Sequence, residues 1–334
     1  MLRFLLLSAS LVPVTLACSR APATTDCPPA STDTDKARHA EPAPPEAEAE
    51  PEPAPPAVAE ALSVTADDGH ALRLWSLEPP SAAGQRPSIV LVHGRTWSGI
   101  PDFDLRVGDD SSLSLMRTLA SRGFATYALD LRGYGGTERD PSGWLTPDRA
   151  AEDLAASLAF VAAREGKPPA LLGWSFGALV SQLAVQRHPE AASALILYGY
   201  PRDLDERSAE STAKGEPPRK PNTEAAARGD FITQGTISEA AISAYVQASL
   251  AADPIRVDWT ASHMFNALDP EQVAIPTLVI HGVDDPIARQ LWQAKLFTRL
   301  PVPDRQWVII PKADHAAHLE QPEAFVRALL GFLE

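Results

Sequence analysis

From residue 61 onward the chain alternates short apolar runs with longer stretches of helical periodicity. The runs are SIVLVHG, FATYALDLRG, PALLGWS, ALILYGY, PTLVIHG and RQWVIIP, each followed by glycine or polar residues. Most are unbroken rather than alternating, which predicts strands covered on both faces. Ahead of them, VTADDGHALRLWSL reads as a hairpin turning at Asp67-Asp68-Gly69. Between the runs, DRAAEDLAASLAFVAAR places Ala150, Leu154, Leu158 and Val161 on one helical stripe. At the end, PEAFVRALLGFLE has Pro322 in a first turn and Phe325, Leu329 and Phe332 on one face. Strand and helix in alternation predict an α/β fold, a mostly parallel sheet flanked by helices. Functional residues in such sheets gather beyond the C-terminal ends of the strands.

One region breaks the rhythm. Residues 201–266 are polar, alanine-rich and strand-poor, with a basic, proline-rich start at PPRKP. SEAAISAYVQASLAA and the segment around Trp259 read as helical, so the stretch is expected to be a mostly helical insertion. The sheet-forming core then divides into 61–200 and 267–334.

The residues before 61 change the picture of where the protein works. MLRFLLLSASLVPVTLACSR has one early positive charge, an apolar run and then small residues, the pattern of an export signal over 1–17. It is too short and proline-interrupted for a membrane span. Thr15-Leu16-Ala17-Cys18 resembles the bacterial lipoprotein signal, with Thr15 where an aliphatic residue is usual. That resemblance implies lipidation of Cys18 and a membrane-anchored protein of the cell envelope; a plain cleaved signal with an incidental cysteine is the alternative. Residues 18–60 follow as a tether rich in Ala, Pro and Glu and lacking aromatics, too poor in apolar area to offset the entropy of ordering. Residues 19–60 hold nine acidic and three basic side chains, part of a net charge of −14. Such a charge argues against a duplex nucleic-acid partner. Apart from Cys18 only Cys27 remains, so the folded part has no disulfide and relies on its core.

The candidate chemistry begins at Gly173-Trp174-Ser175-Phe176-Gly177, between the run ALL and the helical pattern ALVSQLAVQ. G-x-S-x-G alone is a weak signal; its place at a strand-to-helix turn gives it meaning. There the serine is forced into a strained backbone conformation, and flanking glycines let neighbouring backbones pass closely. The next residue's N–H then lies at a helix N-terminus, where developing negative charge is stabilised.

On these residues the chain resembles the α/β-hydrolase superfamily over about 62–334. His93-Gly94 ends a strand where the family carries its HG oxyanion loop. Asp130-Leu-Arg-Gly-Tyr-Gly-Gly-Thr137 looks like the family's D-x-R-G-x-G-x-S segment, with Thr137 for the usual serine. The resemblance implies Ser175 as nucleophile and the N–H groups of Arg95 and Phe176 as oxyanion donors, with His93 and Gly94 supporting the loop. It also implies the chain order serine, acid, histidine. The family spacing after PTLVIHG selects Asp285 as the acid, leaving Asp284 and, more distantly, Asp203 as alternatives. His315 in PKADHAAHLEQPE takes the place of the base, with Asp314 where glycine is usual. His318 is expected to be structural, and His281 to belong to the core. A metal site on His315 and His318 would need further ligands, and neither H-E-x-x-H nor a cysteine cluster occurs. No metal or cofactor is expected.

A serine hydroxyl attacks well only when a histidine takes its proton, and that histidine needs a carboxylate to fix its tautomer. The expected activity is therefore hydrolysis of a small or medium carboxylic ester through an acyl-enzyme. Lactonase, C–C bond hydrolase, aminopeptidase and perhydrolase chemistry remain open on the same fold, and a non-catalytic envelope binding protein is the reading from another class. Residues 201–266 are expected to form a lid, with Trp259, Met264 and Phe265 as pocket walls or lid core, and Trp97 and Trp144 equally ambiguous. The Arg95 side chain is unusual for its slot. It either reaches the pocket and favours acidic substrates, or turns to solvent or to Asp102 or Asp104.

Overall fold

A computed structural model describes residues 58–80 and 87–334. The leader, Cys18 and the tether to residue 57 lie outside the described residues. The strands in chain order are β1 (Glu60–Thr65), β2 (Ala71–Leu77), β3 (Ile89–Val92), β4 (Thr126–Asp130), β5 (Trp144–Leu145), β6 (Ala170–Trp174), β7 (Ala194–Tyr198), β8 (Asp258–Trp259), β9 (Thr277–Gly282) and β10 (Arg305–Ile310). The helices are α1 (Gly99–Phe103), α2 (Leu115–Ser121), α3 (Pro147–Glu165), α4 (Phe176–Arg187), α5 (Glu224–Arg228), α6 (Glu239–Ala252), α7 (Gln290–Arg299), α8 (Ala317–Glu320) and α9 (Pro322–Leu333).

Eight strands form one sheet in the order β1-β2-β4-β3-β6-β7-β9-β10. The β1–β2 hairpin and the β2–β4 pair are antiparallel, and every pair from β4 to β10 is parallel. This is the α/β-hydrolase fold. The unbroken apolar runs have a direct cause. In β3, Val90 and Val92 face a core shared with α3 and α4, while Ile89 and Leu91 face another shared with α2 and α9. Both faces are covered, so period-two alternation brings apolar residues to each.

Helix α3 shows how local signals set an element. Thr146 caps it by accepting the Arg149 N–H, Pro147 occupies the first turn, and Gly166 ends it at φ +76°. Its predicted stripe of Ala150, Leu154, Leu158 and Val161 is buried throughout.

The insertion is less helical than its composition suggests. Residues 201–223 contain no helix, α5 is 5 residues long, and α6 of 14 residues is the one long helix between 201 and 266. Pro217, Pro218 and Pro221 lack the N–H that a helix interior needs, which keeps this stretch extended. The segment around Trp259 is not helical either. β8 pairs in parallel with β5, and a 3₁₀ turn over Ser262–Ala267 follows. Trp259 spends its indole N–H on the Tyr134 hydroxyl, a tertiary contact that helical patterning does not reveal.

Candidate active site

Ser175 stands between β6 and α4 at φ 55° and ψ −119°, a conformation rarely held by a residue with a side chain. The two glycines of the motif make it possible. A Cβ at Gly177 would lie 2.4 Å from the carbonyl oxygens of Val92 and His93, and one at Gly173 would lie 2.4 Å from the Gly177 carbonyl. Backbone therefore passes against backbone on both sides of the serine. Phe176 opens α4, so its N–H has no acceptor within the helix. Among the described residues no acceptor takes the N–H of Arg95.

The loop carrying Arg95 is held by His93 and Gly94. His93 Nδ1 lies 2.8 Å from the Gly94 carbonyl, which can only accept, so the ring proton sits there. Its Nε2 accepts the Leu131 N–H at 3.1 Å. Burial pushes the His93 ring down to about 4, which keeps it neutral in this bridging role. The Gly94 N–H donates to Asp102 Oδ2 at 3.2 Å.

Across the sheet, β9 and β10 deliver the acid and the imidazole. His315 Nδ1 donates to Asp285 Oδ2 at 2.8 Å, and Asp285 Oδ1 accepts the N–H groups of Ile287 and Ala288, both at 2.8 Å. Burial alone would raise the Asp285 carboxyl. The hydrogen bond and charge of His315 and the two N–H groups outweigh it and hold the group below its ordinary range. Neighbouring Asp284 is exposed, and Asp203 is engaged with Lys295 at 2.7 Å. Gly199, after β7, fits beneath the imidazole, where a Cβ would lie 3.2 Å from His315 Cε1.

Gly94, Arg95, Ser175, Phe176 and His315 line one cavity of about 420 Å³. Phe265 and Trp97 also line it, whereas Trp259, Met264 and Trp144 do not. Trp259 and Phe265 pack edge-on against Phe176 at 4.7 and 5.0 Å, so Trp259 backs the wall rather than forming it. Trp144 donates to the Gly215 carbonyl instead.

His318 is buried behind this arrangement. Its Nε2 donates to the Asp102 carbonyl at 2.7 Å, leaving Nδ1 to meet the Tyr198 hydroxyl at 3.0 Å. That hydroxyl and the Trp174 indole both lie 2.9 Å from the His315 carbonyl. Burial pushes His318 down to about 4. Asp314 does not need glycine's conformational freedom, because the positive φ of this loop falls on Lys312. Its side chain instead accepts the Thr233 N–H, tying the loop of His315 to the insertion.

Several residues of the site carry no sequence signal. Asp230, from the insertion, lines the cavity, accepts from the Trp97 indole at 2.7 Å and lies 3.2 Å from the Tyr245 hydroxyl. Tyr245 donates to Asp102 at 2.9 Å. Burial pushes Asp230 up to about 6 and Asp102 well above the carboxylate range. His281 bonds the Gly282 carbonyl at 2.8 Å and stacks toward Trp307, a core position. The carboxylates of Asp67, Asp68 and Asp153 come close together, but Arg132 and Arg149 already neutralise them.

A serine at a strained turn, two unused N–H groups and an imidazole fixed by a carboxylate share one cavity. Those are the parts that acyl transfer requires. A family model described as "Serine aminopeptidase, S33" matches residues 110–322. The pimeloyl-[acyl-carrier protein] methyl ester esterase of Chromobacterium violaceum is 26% identical over 75% of this chain and 96% of its own. The mouse (Mus musculus) serine hydrolase BPHL is 24% identical over 74% of this chain and 79% of its own. The crystal structure of the esterase RhEst1 from Rhodococcus sp. ECU1013 matches with a TM-score of 0.57 and 23% identity, over 82% of this chain and 98% of that one.

Proposed function

The chain belongs to the serine aminopeptidase S33 family of α/β-hydrolase-fold serine hydrolases, and from that membership we propose that it cleaves a small or medium carboxylic ester. The hydrogen bond between His315 Nδ1 and Asp285 carries the reading, because it leaves Nε2 as the free base on the cavity side. His315 takes the Ser175 proton as the hydroxyl attacks the carbonyl carbon. The N–H groups of Arg95 and Phe176 receive the oxyanion. His315 then gives its proton to the departing alkoxide, and the acyl-enzyme forms. Water repeats the cycle, losing its proton to His315, and Ser175 leaves with that proton restored.

The names of the relatives support ester over amide chemistry, since an esterase stands among both the sequence and the structural matches. A panel of 4-nitrophenyl esters of graded acyl length, with lactones and prolyl amides alongside, tests the choice. Turnover of short and medium esters well above the other classes supports it; preference for prolyl amides would overturn it. The insertion over 201–266 is proposed as the lid, on the ground that Asp230 and Phe265 reach the cavity from it. From the leader alone we also propose lipidation at Cys18. Cys18→Ala should release the protein from the membrane fraction, and an unchanged distribution would count against the anchor.

A further inference from the structure

The cavity beside Ser175 is lined by two arginines, Arg95 and Arg202, whose side chains the reaction as written does not use. Arg95 extends its guanidinium over the Phe176 ring at 5.2 Å, with its backbone carbonyl held by the Tyr134 hydroxyl. The nearby acids are otherwise engaged. Asp102 accepts from the Gly94 N–H and the Tyr245 hydroxyl, and Asp104 pairs with Arg117 at 2.7 Å. Among the described residues no carboxylate forms an ion pair with Arg95. Arg202 is in the same position. Its guanidinium donates only to neutral oxygens, the Glu206 carbonyl at 3.1 Å and Asn266 Oδ1 at 2.7 Å. Arg256 acts on Arg95 as a like charge, and at Arg202 the like charge of Arg207 is set against the smaller, opposite effect of Glu206.

Arg95 is exposed and Arg202 half-buried, so both guanidinium groups are open to a ligand entering the cavity, and their fork fits a carboxylate or phosphate. Among the described residues no carboxylate forms an ion pair with either arginine. The acids of the cavity, Asp102 and Asp230, are bound to Gly94, Tyr245 and Trp97 instead. A ligand bearing an anion would gain from the arginines and be turned away from Asp230, and so would enter in one orientation. We propose that the ester cleaved at Ser175 also carries a carboxylate or phosphate, received by Arg95 and Arg202. The inference rests on the esterase reading. The anion sits on either the acyl or the alcohol portion, and the two arms below separate these.

The full chain is assayed on two matched pairs of substrates at low salt. In the first pair, 4-nitrophenyl hydrogen suberate is compared with 4-nitrophenyl octanoate, which lacks the terminal carboxylate on the acyl chain. In the second, 3-carboxyphenyl octanoate is compared with phenyl octanoate, placing the charge on the alcohol side. The readout is the charged-to-neutral ratio of kcat/KM. Charge-assisted hydrogen bonds predict a ratio of about 10 to 100 for one pair in the wild type. The ratio should fall toward one in Arg95→Ala and further in Arg95→Ala/Arg202→Ala, with part recovered in Arg95→Lys. Arg95→Ala keeps the backbone N–H, so the ratio rather than the absolute rate reports the side chain. Neutral esters turned over as well as charged ones, with ratios indifferent to both arginines, would overturn the inference and leave the esterase reading standing. A folded protein that hydrolyses none of the four esters sinks both.

Discussion

His315 Nδ1 and Asp285 Oδ2 are 2.8 Å apart, and the other Asp285 oxygen is held by two backbone N–H groups. The carboxylate is thus fixed before the imidazole meets it, and it dictates which ring nitrogen carries the proton. Asp285→Asn would present an amide that favours the wrong tautomer, so kcat should fall about 10³- to 10⁴-fold. Asp284→Asn, on an exposed side chain, should stay within about threefold of wild type. Steady-state kinetics on one activated ester distinguish them, and equal losses would mean that the acid has been misassigned.

The two histidines of ADHAAHLE should respond differently. His315→Ala should abolish measurable turnover. His318→Ala should chiefly cost stability, about 2–4 kcal/mol, because it opens a cavity and leaves the buried Asp102 carbonyl without its donor. Denaturant unfolding beside kinetics reads both effects. If His318→Ala proved as inactive as His315→Ala while fully stable, the supporting role would be wrong.

His318 also predicts a pH signature. Its ring lies at about 4 in the fold, against 6.5 in an unfolded chain. Between those values the unfolded chain binds a proton that the folded chain refuses. The stability contributed by this histidine is full above pH 6.5 and drains as pH falls toward 4. Asp130 and Asp230, pushed up to about 6 by burial, act in the opposite direction over the same range. A single-residue comparison therefore isolates the effect. The Tm advantage of wild type over His318→Gln should shrink between pH 7 and pH 4.5; a constant or widening gap would contradict the assignment.

Much of this was legible in the residues. The apolar runs marked the strands, and GWSFG marked the elbow because only glycine tolerates carbonyl oxygens 2.4 Å from where a Cβ would stand. DLRGYGGT was readable as a motif, though the cause of its composition was not. Asp130 accepts from Trp75, Gly99 and Gly136, and Thr137 bridges Asp130 and Arg73, so the segment is scaffold rather than chemistry. Asp230, Tyr245 and Tyr198 escaped notice, and Asp102 was considered only as a partner for Arg95, since the bonds Tyr198–His315, Trp97–Asp230 and Tyr245–Asp102 cross from 117 to 143 positions of sequence and no local pattern encodes them. The insertion was misjudged for the same reason. Trp259 answers to Tyr134 and Phe176, not to its neighbours in the chain.

Arg132 in that scaffold should be costly to replace. It is 1% exposed and bonds Asp153, Asp140 and Asp68 at 2.7–2.9 Å. Arg132→Ala would leave Asp153 buried beside a cavity, and a loss of about 3–5 kcal/mol is expected. Equilibrium unfolding measures it, and a change below about 1 kcal/mol would show that the cluster is not a stabilising centre.

The central claim is that Ser175 is the nucleophile, and covalent labelling addresses it without knowledge of the substrate. The full chain is treated with a fluorophosphonate and the adduct is located by peptide mass spectrometry. The account predicts one phosphonylated residue, Ser175, with labelling lost in Ser175→Ala although that variant still unfolds cooperatively. An adduct at another residue, or a folded wild type that takes no label, would contradict it.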